Sequence, residues 1–287
     1  MRGWWALAVL TCLSAGAAMA RATTGSAPDD PGFGVIVEDV YRNDYFGMRY
    51  KLPPHWRTSE NGPSPSESGY YLLRSFVPRG ELAAMILISA QDLFFATSPS
   101  DDAAEMVRRF TQALHDAGTM TVDLGPTELM IGGHRFSRVE FSGAGLHHAM
   151  FVTALRCHLL SFNMSASEAK LLEDLTKSLD ELAFARDDGA KTPICIKGYA
   201  NAENLLHRVE PLTAVGSRFV PIPVRIIVGE DGVVLHAHVI RATPRQREAI
   251  ETALAQWRFR PYRANGAALP VETGLLFSFQ AAQETLH

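Results

Sequence analysis

Cysteine is scarce in this chain: three in 287 residues, with Cys12 inside the first twenty and only Cys157 and Cys195 beyond it. No C-x-x-C is present, and neither is a G-x-S-x-G or an H-E-x-x-H, so the common redox, acyl-transfer and zinc-hydrolase motifs are absent. Excess positive charge is also missing, the formal net charge being −4. Phosphate binding needs a clustered basic surface, which argues against nucleic acid as a partner. Past the N-terminus no apolar run is long enough to cross a membrane. The Gly-x-Gly element in GAGLHH at 143–148 lacks the third glycine and the strand-to-helix setting of a dinucleotide loop and reads as a hairpin turn. A Ser-His-Asp triad cannot be assembled from spacing. No cofactor is implied.

What is present begins with MRGWWALAVLTCLSAGAAMA: one positive charge, an apolar run from Trp4, then Ala18-Met19-Ala20. That order is a secretory signal peptide over 1–20, with the mature chain starting at Arg21 in the periplasm. An uncleaved inner-membrane anchor is the rival reading, and a lipoprotein acylated at Cys12 a weaker one, because Thr11 is bulky where a small residue is expected. With the signal cleaved no stable membrane span remains. Its loss removes Arg2 alone from the 27 basic side chains, leaving 26 against 31 acidic ones. Export carries Cys157 and Cys195 to an oxidising compartment, where a disulfide would close a loop of about 38 residues and stabilise by about 3 kcal/mol. Two buried free thiols are the bland alternative.

Residues 21–34 read as a flexible leader, rich in small and polar residues, proline and glycine. YFGMRYKLPPHW suggests two short strands or a hairpin around Gly47, and YYLLRSFV and AAMILISA two more strands. Asp102, three residues before Glu105, opens a helix whose apolar face is Val107, Phe110, Leu114 and Ala117 and which Gly118 ends. HRFSRVEFSG and HAMFVTALRCHLLSFNMS each read as a strand. A second helix starts at Ser167 and carries Leu171, Leu172, Leu175, Leu179 and Leu182 on one face. Strands flanked by such helices suggest a layered α+β domain over 35–184. The polar stretch 185–198 is the boundary linker, 199–280 the second domain and 281–287 a tail. In that second domain LLHRVEPLTAVG is a short helix or a loop. PVRIIVGEDGVVLHAHVI is a hairpin turning at Asp231-Gly232. Thr243-Pro244 with Gln246 caps a third helix. LPVETGLLFSF is a closing strand.

The third helix exits through QWRFRPYRANG. Ile250, Ala253, Leu254 and Trp257 share a face, so Trp257 is a core residue over the hairpin. Arg258 and Arg260 complement the helix C-terminus, Pro261 forbids its continuation and Asn265-Gly266 turns the chain back. HRVEP, the GEDGVV turn, AHVIRA, AIETALAQWRFRP, ANG and GLLFSF together resemble the C-terminal domain of TonB and of TonB-like envelope proteins, over roughly Tyr199 to Phe279. The resemblance implies three antiparallel strands packed on helices, with the last strand exposed and pairing with an extended segment of an outer-membrane receptor by β-strand addition. Carried onto this sequence, that recognition edge is Val271, Glu272, Thr273, Gly274, Leu275, Leu276 and Phe277, continuing to Phe279. The run GLLFSF holds no charge to repel another strand, so the same edge also suits a homodimer. Gly274 marks a close backbone approach or a bulge. Pro221 and Pro223 depart from the family pattern and imply a late start to the first strand. The long Pro-rich spacer of an energy transducer is missing, which argues against transmission of proton-motive force.

The first domain resembles the PsbP-like α/β/α fold through YFGMRYKLPPHW and LLEDLTKSLDELAF, over about Val35 to Phe184. Members of that family are mostly accessory and assembly proteins. The sequence therefore reads as two α+β domains forming a periplasmic protein-protein interaction module that binds an envelope protein, and not as an enzyme. The competing class is an enzyme or a small-ligand or metal binder with a site between the domains, using histidines such as His147 or His236. His236 and His238 share a strand face and could reach one metal, but paired histidines on a hairpin are usually polar surface, and no metal site is assigned.

Overall fold

Met48–Lys51 (β3) alternates buried and exposed side chains, as a strand with one face on a core must. It belongs to a small sheet with Val35–Val37 (β1), Val40–Asn43 (β2) and the much later Ala183–Phe184 (β11), in the order β1-β2-β3-β11. β2 and β3 form a hairpin that turns through Gly47 at φ +60°, and Asn43 Oδ1 accepts from the Phe46 amide at 3.1 Å inside that turn. The computed structural model describes residues 31–59, 70–80, 83–95, 102–185, 192–211 and 221–277. The stretches read as signal peptide, leader (up to residue 30) and tail, with the end of the expected edge strand at 278–279, lie outside the described residues.

Seven antiparallel strands make the main N-terminal sheet: Trp56–Thr58 (β4), Tyr70–Pro78 (β5), Ala84–Asp92 (β6), Thr121–Ile131 (β7), His134–Gly143 (β8), Leu146–Leu155 (β9) and His158–Ala166 (β10). Their order is β4-β5-β6-β10-β9-β8-β7. Helix Ala103–Ala117 (α1) covers one face and helix Ala169–Lys177 (α2), prolonged by a 3-10 turn over Ser178–Glu181, covers the other. β9 shows how alternation divides the layers. Met150 and Val152 join Val107 of α1, whereas Phe151 joins Leu172, Leu175, Leu179 and Leu182. Each such leucine contributes about 1.5–3 kcal/mol by leaving water. Asp102 caps α1, accepting from the Glu105 amide at 2.8 Å, and Gly118 ends it at φ +62°. The Glu105 carboxylate turns to Arg108 and Arg109.

Two features of this sheet differ from the sequence reading. β7 was not anticipated, because it is a mostly exposed edge strand in which the brief alternation of Val122 and Leu124 is cut short by Gly125-Pro126 and an irregular register. The run HAMFVTALRCHLLSFNMS is two strands, β9 and β10, folded at Arg156-Cys157. Both turn residues have positive φ, 47° and 57°, without the glycine or asparagine that would announce it.

The C-terminal sheet joins Ile194–Cys195 (β12), Ile222–Val228 (β14), Val234–Val239 (β15) and Val271–Phe277 (β19) in the order β12-β19-β14-β15. It thus has four strands where three antiparallel ones were expected. The fourth, β12, comes from the stretch read as linker and runs parallel to β19. Leu205–His207 (β13) pairs with Arg258–Phe259 (β16), so the segment read as helix or loop, 205–216, opens with a short strand, and its residues 212–216 lie outside the described residues. β14 begins at Ile222 despite the flanking prolines. Pro223 fits because it lies at the second position of the strand, and its carbonyl still accepts from the Ile240 amide at 3.0 Å.

Helix Pro244–Leu254 (α3) has the full capping box of Thr243 with Gln246 and proline in its first turn. Beyond it Trp257 is buried against Phe259 and Phe277, and its indole N–H donates to the Val209 carbonyl at 2.8 Å. Arg258 Nη1 donates to the carbonyls of Ala255 (3.1 Å) and Trp257 (2.7 Å), closing the helix end. After Pro261, Arg263–Ala264 (β17) and Ala267–Ala268 (β18) pair around Asn265 (φ 50°) and Gly266 (φ 80°). At the other hairpin Gly232 takes the positive φ, 82°, and Asp231 accepts from the Val233 amide at 3.1 Å.

Candidate functional site

β14 places Val224, Ile226 and Val228 in the C-terminal core. Pleating turns Arg225 to the opposite face, toward the N-terminal sheet, where it is only 2% exposed. Acceptors from both sheets surround its guanidinium. Nε lies 3.1 Å from Asp92 Oδ2 at the end of β6, Nη1 donates to His158 Nε2 at 2.7 Å and Nη2 donates to the Arg156 carbonyl at 3.2 Å. Nη2 also pairs closely with Glu272 Oε1 of β19. Its Cζ lies over the rings of both Tyr45 and Phe94, 5.6 Å from each centroid. One side chain thus ties β6, β10, the β2–β3 turn and β19 together.

Charge in this cluster is unbalanced. Desolvation by burial raises the carboxyls of Asp92 and Glu272 above their usual range, and Arg225 pulls both back without cancelling it. Asp92 also accepts the Phe94 amide at 2.7 Å, which favours its ionised form. Glu272 Oε2 instead lies 3.2 Å from Cys157 Sγ. That sulfur is bonded to Cys195 and carries no proton, so it donates nothing to the carboxyl, whose other oxygen pairs with Arg225. Burial, then Arg225, hold His158 well below the ordinary histidine value. Its Nδ1–H donates to the Arg156 carbonyl at 2.6 Å and Nε2 accepts from Arg225, so the 3.8 Å approach to Asp92 is not an ion pair.

These shifts predict a pH profile. His158, depressed in the fold, contributes stability that is complete above the unfolded value near 6.5 and is lost as pH falls below it. Asp92 and Glu272, raised in the fold, act in the opposite sense: their contribution is present in acid and lost as pH rises through their folded values. Arg156, Arg225, His238 and Tyr45 are the other ionisable groups that face the cluster. Replacing His158 by Gln removes one arm. Between pH 6.5 and 5 the variant should gain on the wild type by up to about 1.4 kcal/mol per pH unit, the slope for one proton. Urea titrations at pH 5, 6 and 7 measure this, and parallel pH profiles would refute it.

The expected recognition edge is placed as follows. Val271 and Glu272 are not at an edge: β14 lies on one side and β12 on the other, with the Ile194 amide donating to Pro270 O and the Ile196 amide to Glu272 O, each at 3.0 Å. Thr273 is buried and its Oγ1 accepts from the Tyr199 amide at 3.3 Å. Gly274 is a close approach and not a bulge. Its register with Arg225 is uninterrupted, and a Cβ there would stand 2.5 Å from Phe94 Cβ. Leu275 faces the C-terminal core with Phe277, whereas Leu276 is 60% exposed. It borders a cavity of about 640 Å³ shared with Phe94, Phe95, Ile222, Arg241 and Gln246.

Cys157 and Cys195 form a disulfide, which fastens β12 to the β9–β10 turn. His236 and His238 do share a face, opposite Ile227 and Arg225. Among the described residues no group of three or more His, Cys, Asp or Glu is arranged around a metal position. His148 stacks on Phe141 and bonds Ser165 Oγ at 2.7 Å. Sequence reasoning passed over Arg225, Asp92, His158 and Tyr45. The available signal was an arginine in the middle of the apolar strand PVRIIV.

No family model and no curated protein matches the chain. Among solved structures, similarity extends to the solution structure of cyanobacterial PsbP from Synechocystis sp. PCC 6803, at 18% identity over 55% of this chain and 100% of that one, with a TM-score of 0.39. LpqN, involved in cell envelope biogenesis of Mycobacterium tuberculosis, is similar at 15% identity over 55% and 87% of the two chains, with a TM-score of 0.36. A protein of Bacteroides thetaiotaomicron matches at 16% identity over 51% and 48%, with a TM-score of 0.31. The first carries the PsbP name that residues 35–184 suggest, none carries a TonB name, and scores this low support no functional argument.

Proposed function

We propose that this chain is an exported, non-catalytic interaction module of the cell envelope whose C-terminal sheet takes up an extended segment of a partner protein along β19. One observation carries the reading: β19 already holds a parallel strand, β12, on the side away from β14, and that strand covers only its first residues. Direction of the main-chain groups extends the argument. The Pro223 carbonyl accepts from Ile240, so its groups point toward the β15 side, and its partner Leu276 turns its own groups away from β14. Residues 272, 274 and 276 share that parity, and Glu272 O is indeed the acceptor for Ile196. Gly274 and Leu276 therefore continue the row that β12 uses, with no strand against them among the described residues. An incoming strand would extend β12's line and place an apolar side chain beside Leu276 and Phe95. An outer-membrane receptor segment is the partner the TonB-like residues suggest. A second copy of the chain is the competing occupant.

Leu276→Pro is a clean test, because the lost N–H points outward and no bond to β14 goes with it. Binding of an extended receptor-derived peptide should weaken at least tenfold while the denaturation midpoint stays within experimental scatter. Equal affinity in both proteins would sink the reading. A concentration-dependent dimer seen by sedimentation in the wild type and abolished in the variant would assign the edge to self-association.

A further inference from the structure

We propose that the Cys157–Cys195 bond is a thiol–disulfide exchange site whose reduction releases β12 from β19, so that a dithiol reductant governs how much of the edge is open. The proposal rests on the reading of β19 as a recognition edge, but its chemistry stands on separate observations. The two sulfurs are unequal, for Cys195 is exposed and Cys157 is 3% exposed, so an outside thiolate reaches Cys195. A cavity of about 370 Å³ opens against the bond, and Arg156 and Lys197 line it together with Leu155 and Phe94. Two cations in the lining attract a thiolate and favour charge developing on sulfur. On the buried side Glu272 Oε2 stands 3.2 Å from Cys157 Sγ, where a carboxyl can give its proton to the leaving sulfur.

The exchange proceeds in two displacements. A thiolate of the dithiol attacks Cys195 Sγ, a mixed disulfide forms, and the electron pair of the broken S–S bond leaves on Cys157 Sγ. That sulfur takes a proton delivered through the Glu272 carboxyl, whose other oxygen is already paired with Arg225. The second thiolate of the reductant then attacks its partner sulfur and expels Cys195, which is protonated from solvent. Glu272 regains a proton from water. Two thiols replace the disulfide and the dithiol becomes a disulfide, with two electrons and two protons transferred. Afterwards β12 is two residues long and is held by the amides of Ile194 and Ile196 and by the packing of those two side chains against the C-terminal core. One of those bonds ends on Glu272 itself, so the residue that supplies the proton also carries the strand.

The test uses the full mature chain, oxidised, in native buffer with dithiothreitol as the probe. Disulfide opening is followed by alkylation and mass spectrometry, and strand release by amide exchange. Reduction should proceed while the Val224 and Ile226 amides stay protected, and the Ile194 and Ile196 amides should then exchange at least tenfold faster. Glu272→Gln should slow release of the Cys157 thiol about tenfold without changing Ile196 protection in the oxidised chain. The Cys157→Ser, Cys195→Ser double variant provides the released state if reduction itself perturbs the core. Opening only at the rate of global exchange, or unchanged protection of Ile194 and Ile196 in both reduced and double-variant chains, would overturn the proposal. Peptide binding to the double variant separates the two ideas. Released amides without peptide binding would remove the recognition reading alone. Retained amides with binding at 274–277 would remove the switch alone.

Discussion

Arg225→Ala should destabilise the protein by about 3–5 kcal/mol, the range for removing one partner from a buried ion cluster. Loss of the guanidinium leaves Asp92 and Glu272 buried without their cation, takes the donor from His158 Nε2 and opens a gap between the rings of Tyr45 and Phe94. Deletion would leave Asp92, Glu272 and His158 Nε2 buried without that partner, which weighs more than the net worth of any one bond. Arg225→Lys should recover only part of the loss, because a single ammonium cannot reach Asp92, His158, the Arg156 carbonyl and Glu272 together. Neutralising the acids should help where restoring charge does not. Combining Arg225→Met with Asp92→Asn and Glu272→Gln is expected to be more stable than Arg225→Ala. Urea unfolding at pH 7 with m-values unchanged measures the series, and a loss below about 1 kcal/mol for Arg225→Ala would contradict the argument.

The same cluster marks where sequence reading stops. Elements whose signal is local were legible. The Thr243–Gln246 capping box, Asp102 at the start of α1, the leucine face of α2 and the Asn265-Gly266 turn each depend on residues within a few positions of one another. The turn at Arg156-Cys157 was not legible, since tertiary contacts and the disulfide hold two ordinary residues at positive φ. β12 was hidden for a related reason: two residues in a polar stretch have no periodicity, and their strand exists only because β19 offers main-chain groups. Arg225, Asp92, His158 and Glu272 lie far apart in the chain, and only the packing of two sheets brings them together. A bond between Cys157 and Cys195 was one of two expectations that rested on reading the chain as exported, two free thiols being the other. Its place beside Glu272 was in neither.

Trp257→Ala should remove about 3–5 kcal/mol, the range for deleting a large buried aromatic. The indole fills the space between α3 and the sheet, with ring centroids 6.1 Å from Phe259 and 5.5 Å from Phe277, and Arg208 lies over its outer face at 5.5 Å. Truncation would also strip the Val209 carbonyl of its donor. Trp257→Phe separates these terms, since it keeps most of the apolar fill and loses the N–H, and a smaller loss of about 1–2 kcal/mol is expected. The damage should concentrate where the ring sits. Phe277 closes β19 and rests on Trp257, so amides of 271–277 should lose protection before those of β9 and β10, whose core of Phe151, Phe162 and Leu160 the indole does not touch. Affinity for an extended peptide should fall with them, because an edge that frays cannot present the outward groups of Gly274 and Leu276 in register. Amide exchange on the alanine variant decides the matter: uniform deprotection across both sheets would deny the local role, and an unchanged β19 would deny that Trp257 seats the strand at all.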